Sequence, residues 1–235
     1  MADQSTPAEP FAKLTRAMIR VVCFDLGGVL VRIGRTWTEV CSAAGFEVRG
    51  DVASHRAQMA RHELMELYAL GRMSEDEWAT RSAAALGGVY TAEELKTIHH
   101  AWLVEEYPGV VAVIDGLHEA GLHTACLSNT NHAHWTRMLH HDGTGPLAGE
   151  PRYPGIVRLR SHYASHLLGL AKPDEAIYRA FERASGYGGD EILFFDDLPA
   201  NVEAARKIGW TAERIDPDVD TAPQLHEHLR RRRVL

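Results

Sequence analysis

Three continuous apolar runs, each stopping at a polar cluster, most constrain what this chain folds into. Residues 19–24 end at Asp25, residues 122–127 at Ser128 and Asn129, and residues 191–195 at Asp196 and Asp197. Hydrophobicity that is near-continuous rather than alternating is the pattern of parallel strands covered on both faces by helices. Ligands of open parallel sheets bind beyond the carboxyl ends of the strands. The three tips therefore predict a three-layer, Rossmann-like α/β core with one shared site.

The segments between the runs are helical in pattern. Residues 36–45, 54–70, 74–86 and 91–103 each read as a helix, with Gly71, Gly87 and Gly88 as punctuation. Ser74 with Glu77, and Thr91 with Glu94, have the spacing of capping boxes. No strand–helix alternation is legible there, which predicts a helical cap over residues 34–106. The core then takes residues 19–33 and 107–235, and residues 1–18 form a mobile lead-in. A chain of 235 residues suits one such core with an inserted subdomain. Within the core, residues 110–120 read as a helix closed by Gly121, and 142–155 as a Gly- and Pro-rich loop. Further helices are expected at 174–185, 199–208 and 221–233.

Composition excludes several function classes. A net charge of −7 argues against nucleic acid or an anionic membrane as partner. The basic run from Arg230 to Arg233 reads as a solvated tail. Cys23, Cys41 and Cys126 make no disulfide framework, as expected in a reducing cytoplasm, and Cys23 and Cys126 fall inside strand patterns as buried fillers. No apolar stretch reaches the roughly 18–20 residues of a membrane span. The polar, acidic beginning of the sequence is unlike a signal peptide.

Four segments carry chemistry. Asp25 stands just past a strand and is followed by Gly27 and Gly28, glycines that let backbone amides turn around an anion. A carboxylate there is placed to attack phosphorus. Ser128 and Asn129 precede a helix, and either bind a phosphate oxygen or cap that helix. Lys172, before Pro173 at a first helical turn, either balances the site's negative charge or is an ordinary surface lysine. Asp196 and Asp197 repel each other unless a cation or donors lie nearby. Hard oxygen ligands beside a phosphate suggest Mg²⁺, although one of the two acids equally suits a helix cap near Pro199.

In this order, the strand ending in Asp25, residues 127–130, Lys172-Pro173, and residues 195–197 through Asn201 resemble the four motifs of the haloacid dehalogenase-like superfamily. The likeness spans roughly residues 19–215, and the form around Asp25 resembles sugar-phosphate phosphatases and the phosphatase domain of epoxide hydrolases. The resemblance implies roles position by position. Asp25 is the nucleophile and a metal ligand, Ser128 holds the phosphoryl group with Asn129 beside it, and Lys172 steadies the charge. Asp197 is the principal motif-four ligand of Mg²⁺, with Asp196 supporting it and the Gly27 carbonyl adding a further contact.

One departure stands out. Phosphatases of the superfamily carry a second Asp two residues after the nucleophile as general acid and base, where this chain has Gly27. Its absence implies a slow enzyme, a proton donor from the cap, or no turnover. His55, His62 and His100 are the cap candidates. The expected function is a Mg²⁺-dependent phosphatase of a small phosphorylated metabolite, a sugar phosphate among the candidates, working as a monomer or homodimer. The alternatives are a 2-haloacid dehalogenase, for which Lys172 and Tyr178 have a suitable spacing, and a non-catalytic phosphate-binding or regulatory protein. Trp37, Tyr68, Trp78 and Trp102 are expected either to line a pocket or to form the cap core.

Overall fold

The three apolar runs form the centre of a five-stranded parallel sheet in the computed structural model, ordered β5-β4-β1-β6-β7. The structure describes residues 18–50, 52, 55–140 and 149–235, without the side chains of 55–57 and 60. Residues 1–17 of the predicted lead-in and residues 142–148 of the expected loop lie outside these residues. In the sheet β1 is Val21–Phe24, β4 His123–Ser128, β5 Ser161–Ala164, β6 Ile192–Asp196 and β7 Thr211–Arg214. A short antiparallel pair, β2 (Val31–Ile33) with β3 (Leu103–Glu106), brackets the helical region.

Each central strand divides its apolar side chains between two cores, which is why its apolar residues do not alternate with polar ones. Val22 and Phe24 of β1 join Cys126, Leu193 and Phe195 in one cluster. Val21 and Cys23 join Ala125, Leu127, Ile192 and Phe194 in the other. The first cluster is covered by α5 (Val110–Glu119), α6 (His132–Leu139), α7 (Pro154–Arg158) and α11 (Thr221–Arg231). The second is closed by α9 (Glu175–Ser185) and α10 (Pro199–Lys207), with α8 (Ser165–Leu168) alongside. Layers alternate helix, sheet, helix, as predicted.

Among the described residues four helices lie between β2 and β3: α1 (Trp37–Ala43), α2 (His55–Ala69), α3 (Glu75–Ala85) and α4 (Ala92–His100). They have their own core, built on Val40, Tyr68, Trp78, Leu95 and Ile98. Thr91 and Glu94 make the full reciprocal capping box at α4, with bonds of 3.2 and 2.8 Å. Ser74 caps α3, but Glu77 turns its carboxylate to Arg81 at 3.2 Å instead of back to the cap.

Several boundaries differ from the sequence expectation. The helix expected over 91–103 stops at His100, because Leu103 already pairs with Ile33 in the ribbon. Pro154 and Gly155 belong to α7 rather than to a loop, since Pro is preorganised for a first helical turn. Pro173 lies outside α9, whose cap is Asp174, accepting from the Ala176 amide at 3.0 Å. The edge strands β5 and β7 were not legible in the sequence.

The helical unit is tied to the core by buried polar contacts. The Ser165 hydroxyl meets the Ala69 carbonyl at the end of α2 at 2.6 Å and accepts from the Thr130 amide at 2.9 Å. The Asn131 amide meets the His99 ring at 3.0 Å, and the His134 ring meets the His99 carbonyl at 2.8 Å. The two imidazoles stack at 3.9 Å, both buried. Burial lowers the pKa of each, His134 to about 4, so the stack is neutral near neutral pH.

Candidate active site

Asp25 and Asp196 stand at the tips of adjacent strands because β1 and β6 run in register, Phe24 opposite Phe195. Ser128 ends β4 on the other side of β1. Chain-distant residues are thus gathered by strand pairing alone. Carboxylate oxygens of Asp25, Asp196 and Asp197 all lie within 4.8 Å of one another.

Lys172 binds this acidic cluster from beneath. Its ammonium is 3.0 Å from Asp25 Oδ1 and 2.7 Å from Asp196 Oδ2, and its side chain is fully buried. Burial alone would lower the lysine's pKa, but the two carboxylates outweigh it and raise it. Lys172 is therefore a permanent cation and no surface residue. The Asn129 side chain fixes its backbone reciprocally, accepting from the Lys172 N–H at 2.9 Å and donating to its carbonyl at 2.8 Å.

The two adjacent acids have different duties. Asp196 is wholly buried, and its oxygens accept from Lys172, the Leu198 amide (2.9 Å) and the Asn201 amide (3.0 Å to each oxygen). Asn201 stood inside the motif without a role, and this fork on Asp196 is what it does. Asp197 is half-buried, whereas the Asp196 side chain has no exposure. Its pKa is raised by burial and by Asp196.

Asp25 accepts from the Leu26 amide at 2.7 Å and is hydrogen-bonded to Ser128. Burial is the main cause that pushes its pKa up to about 7; Lys172 opposes the rise, while Asp196 and Asp197 add to it. Three carboxylates against one ammonium leave a double negative charge when all are ionised. A small divalent cation with hard oxygen preference fits that deficit.

Gly28 acts differently from the anion cradle expected of it. The Gly28 amide is committed to the Val31 carbonyl at 2.8 Å. Gly28 instead makes room for the metal-ligand candidate: at φ +75°, an added Cβ would stand 2.6 Å from Asp197 Oδ2. Gly27 is less constrained, since a Cβ there would meet only Ile33, at 3.4 Å.

A cavity of about 480 Å³ opens from Gly27, Ser128 and Asn129 toward the helical unit. Trp37, Trp78 and Trp102 line it, while Tyr68 stacks behind Trp78 at 5.5 Å. Of the histidines considered as proton donors, His62 lines the cavity and pairs with Glu66 at 3.2 Å. His100 pairs with Glu75 at 2.9 Å, and the side chain of His55 lies outside the described residues. His99 and His134 also line the cavity; nothing in their spacing singled them out. The Tyr178 hydroxyl donates to the Asn201 carbonyl at 2.9 Å, which places it under α10.

Fold and site together define a parallel α/β hydrolase core with a lysine-balanced carboxylate cluster at its strand tips. The family model for haloacid dehalogenase-like hydrolases matches residues 19–209, and the chain belongs to that family. A predicted HAD-like family hydrolase from Porphyromonas gingivalis superposes with a TM-score of 0.73 at 28% identity, covering 91% of this chain and 99% of that one. A HAD family enzyme from Bacteroides thetaiotaomicron, solved with magnesium and inorganic phosphate, superposes with a TM-score of 0.67 at 18% identity. That match covers 88% of this chain and 98% of the other and shows the shared fold. Phosphatase MT3486 of Mycobacterium tuberculosis (strain CDC 1551 / Oshkosh) is 42% identical over 53 residues, which is 23% of this chain and 24% of that protein. Among the described residues no helix is long and apolar enough to cross a membrane.

Proposed function

We propose that this hydrolase is a Mg²⁺-dependent phosphatase of a small phosphorylated metabolite, acting through an aspartyl-phosphate on Asp25. The meeting of three carboxylates around one buried lysine carries this reading. The Asp25 carboxylate attacks phosphorus, the bond to the leaving alcohol breaks, and water then cleaves the acyl phosphate. Ser128 and Lys172 hold the phosphoryl oxygens and the nucleophile in place. Asp25, Asp197 and the Gly27 carbonyl would hold Mg²⁺, with Asp196 orienting the set; when bound, the ion supplies positive charge to the phosphoryl oxygens. The magnesium and phosphate of the B. thetaiotaomicron enzyme support the choice of cation and group.

The test is phosphate release from a panel of phosphate esters with and without EDTA, with chloride release from chloroacetate as the dehalogenase control. EDTA-sensitive phosphate release is expected, and chloride release without phosphate release would overturn the reading. Asp197→Ala is expected to raise the Mg²⁺ concentration for half-maximal activity by at least about tenfold, since each carboxylate is a large share of the ligand set. An unchanged metal titration removes Asp197 from that set.

Gly27 favours a second reading, a phosphate-binding protein without turnover. Gly27 has a φ that side chains tolerate and only van der Waals contact at its Cβ position. Gly27→Asp is therefore expected to fold and to raise phosphate release by on the order of 10²-fold, the lower range for a positioned acid/base. An unaltered rate assigns the proton transfer to a group on the cap side.

A further inference from the structure

The cavity's lining bears on the alcohol that leaves. Its walls are predominantly apolar, built from Trp37, Met65, Trp78, Leu95, Trp102 and Met138. Met65 faces it together with Arg61 and Ala69, one helical stripe of α2 at four-residue spacing. The volume of about 480 Å³ is enough for a ring-sized group.

The polar residues among these walls, Gln58 and His62 of α2 included, are mostly committed elsewhere, His62 to Glu66 at 3.2 Å. Asn129 is held on both sides by the Lys172 backbone. Asn131 accepts from the His134 amide and meets the His99 ring, and the His134 ring is on the His99 carbonyl. Arg61 gives one N–H to the Val52 carbonyl at 2.7 Å and lays its guanidinium over Trp37 at 4.6 Å. The Trp37 and Trp78 indole N–H groups and the Ser82 hydroxyl have no hydrogen-bond partner among the described residues, but all three atoms are buried within the wall and add no donor to the cavity surface.

A sugar would bring several hydroxyls into this space and leave most of them without a partner, each at a cost. An apolar ring would lose nothing and would bury its surface against indole and thioether groups. We propose that the phosphatase substrate is the phosphate ester of a predominantly apolar, ring-sized alcohol rather than a sugar phosphate. This rests on the phosphatase reading for its chemistry and on the cavity for its selectivity.

Cyclohexylmethyl phosphate and glucose 6-phosphate test it, both being primary phosphates on a six-membered ring. The expected result is a kcat/KM on the order of a hundredfold higher for cyclohexylmethyl phosphate. Equal values, or a preference for glucose 6-phosphate, overturn the proposal while leaving the phosphatase intact. Met65→Gln keeps side-chain length, adds an amide to the wall and touches none of the phosphate-binding residues. It is expected to cut the preference about tenfold, mainly through KM, and an unchanged ratio counts against the assignment.

Tryptophan fluorescence of the unmodified protein, titrated with cyclohexylmethanol and with glucose, gives a readout that needs no turnover. Saturable change with cyclohexylmethanol alone supports the apolar cavity even if neither ester is hydrolysed, an outcome that would sink only the phosphatase. Binding of glucose alone, or of neither alcohol, overturns the inference.

Discussion

Asp25→Asn is expected to abolish phosphate release, by at least about 10⁴-fold, in a protein that remains folded and loses no stability. The carboxamide is isosteric, so Leu26 and Ser128 keep a neighbour of the same shape, but it is no nucleophile. Stability is expected to hold because Asp25 is itself a source of repulsion, its pKa lying at about 7 against an ordinary 3.8. The metal-free folded state therefore holds a proton that the unfolded chain releases, from about pH 4 to about pH 7. Across that window parent stability falls as pH rises, and the variant lacks that slope. Thermal melts in EDTA are expected to show the variant gaining on the parent as pH is raised. Residual activity within a hundredfold of the parent would remove Asp25 as nucleophile. A variant that loses both activity and melting temperature would make it structural.

The legible part of this fold is the part buried on both faces. Residues 21–24, 125–127 and 192–195 feed two cores by alternation, so these positions are apolar up to the polar tips. β5 and β7 are edge strands of four residues, and His162, Glu213 and Arg214 give them no such signature. The ribbon β2-β3 was hidden for the same reason, as Arg32, Glu105 and Glu106 sit in it.

The candidate site was legible where charge and strand end coincide. Asp25, Lys172, Asp196 and Asp197 were named from sequence and meet in space. Asn129 has a structural duty that sequence does not show, because its partner is the backbone of a residue 43 positions away. Gly28 was noticed for its conformation, whereas its missing side chain leaves space for Asp197. The cavity was the least legible feature. Trp37, Trp78 and Trp102 have the same hydrophobic signature whether a neighbouring side chain or a ligand covers them, and Trp78 serves both.

The same ion cluster predicts an opposite effect for its cation. Lys172→Met removes the one ammonium that, among the described residues, pairs with Asp25 and Asp196, while keeping the length and apolar packing of the stem. Both carboxylates are then left in a buried site, Asp196 with no exposure at all. Breaking a buried pair from one side costs about 3–5 kcal/mol, because the surviving charge stays desolvated. The metal-free variant is expected to lose stability of that order in denaturant unfolding, and Mg²⁺ is expected to restore part of it by mass action on the same carboxylates. Phosphate release is expected to stay low even with saturating Mg²⁺, since the lysine also holds the nucleophile at 3.0 Å. A loss below about 1 kcal/mol would mean that Asp196 is satisfied by Asn201 and the Leu198 amide alone. Loss of stability without recovery by Mg²⁺ would place the cation elsewhere than on these strand tips.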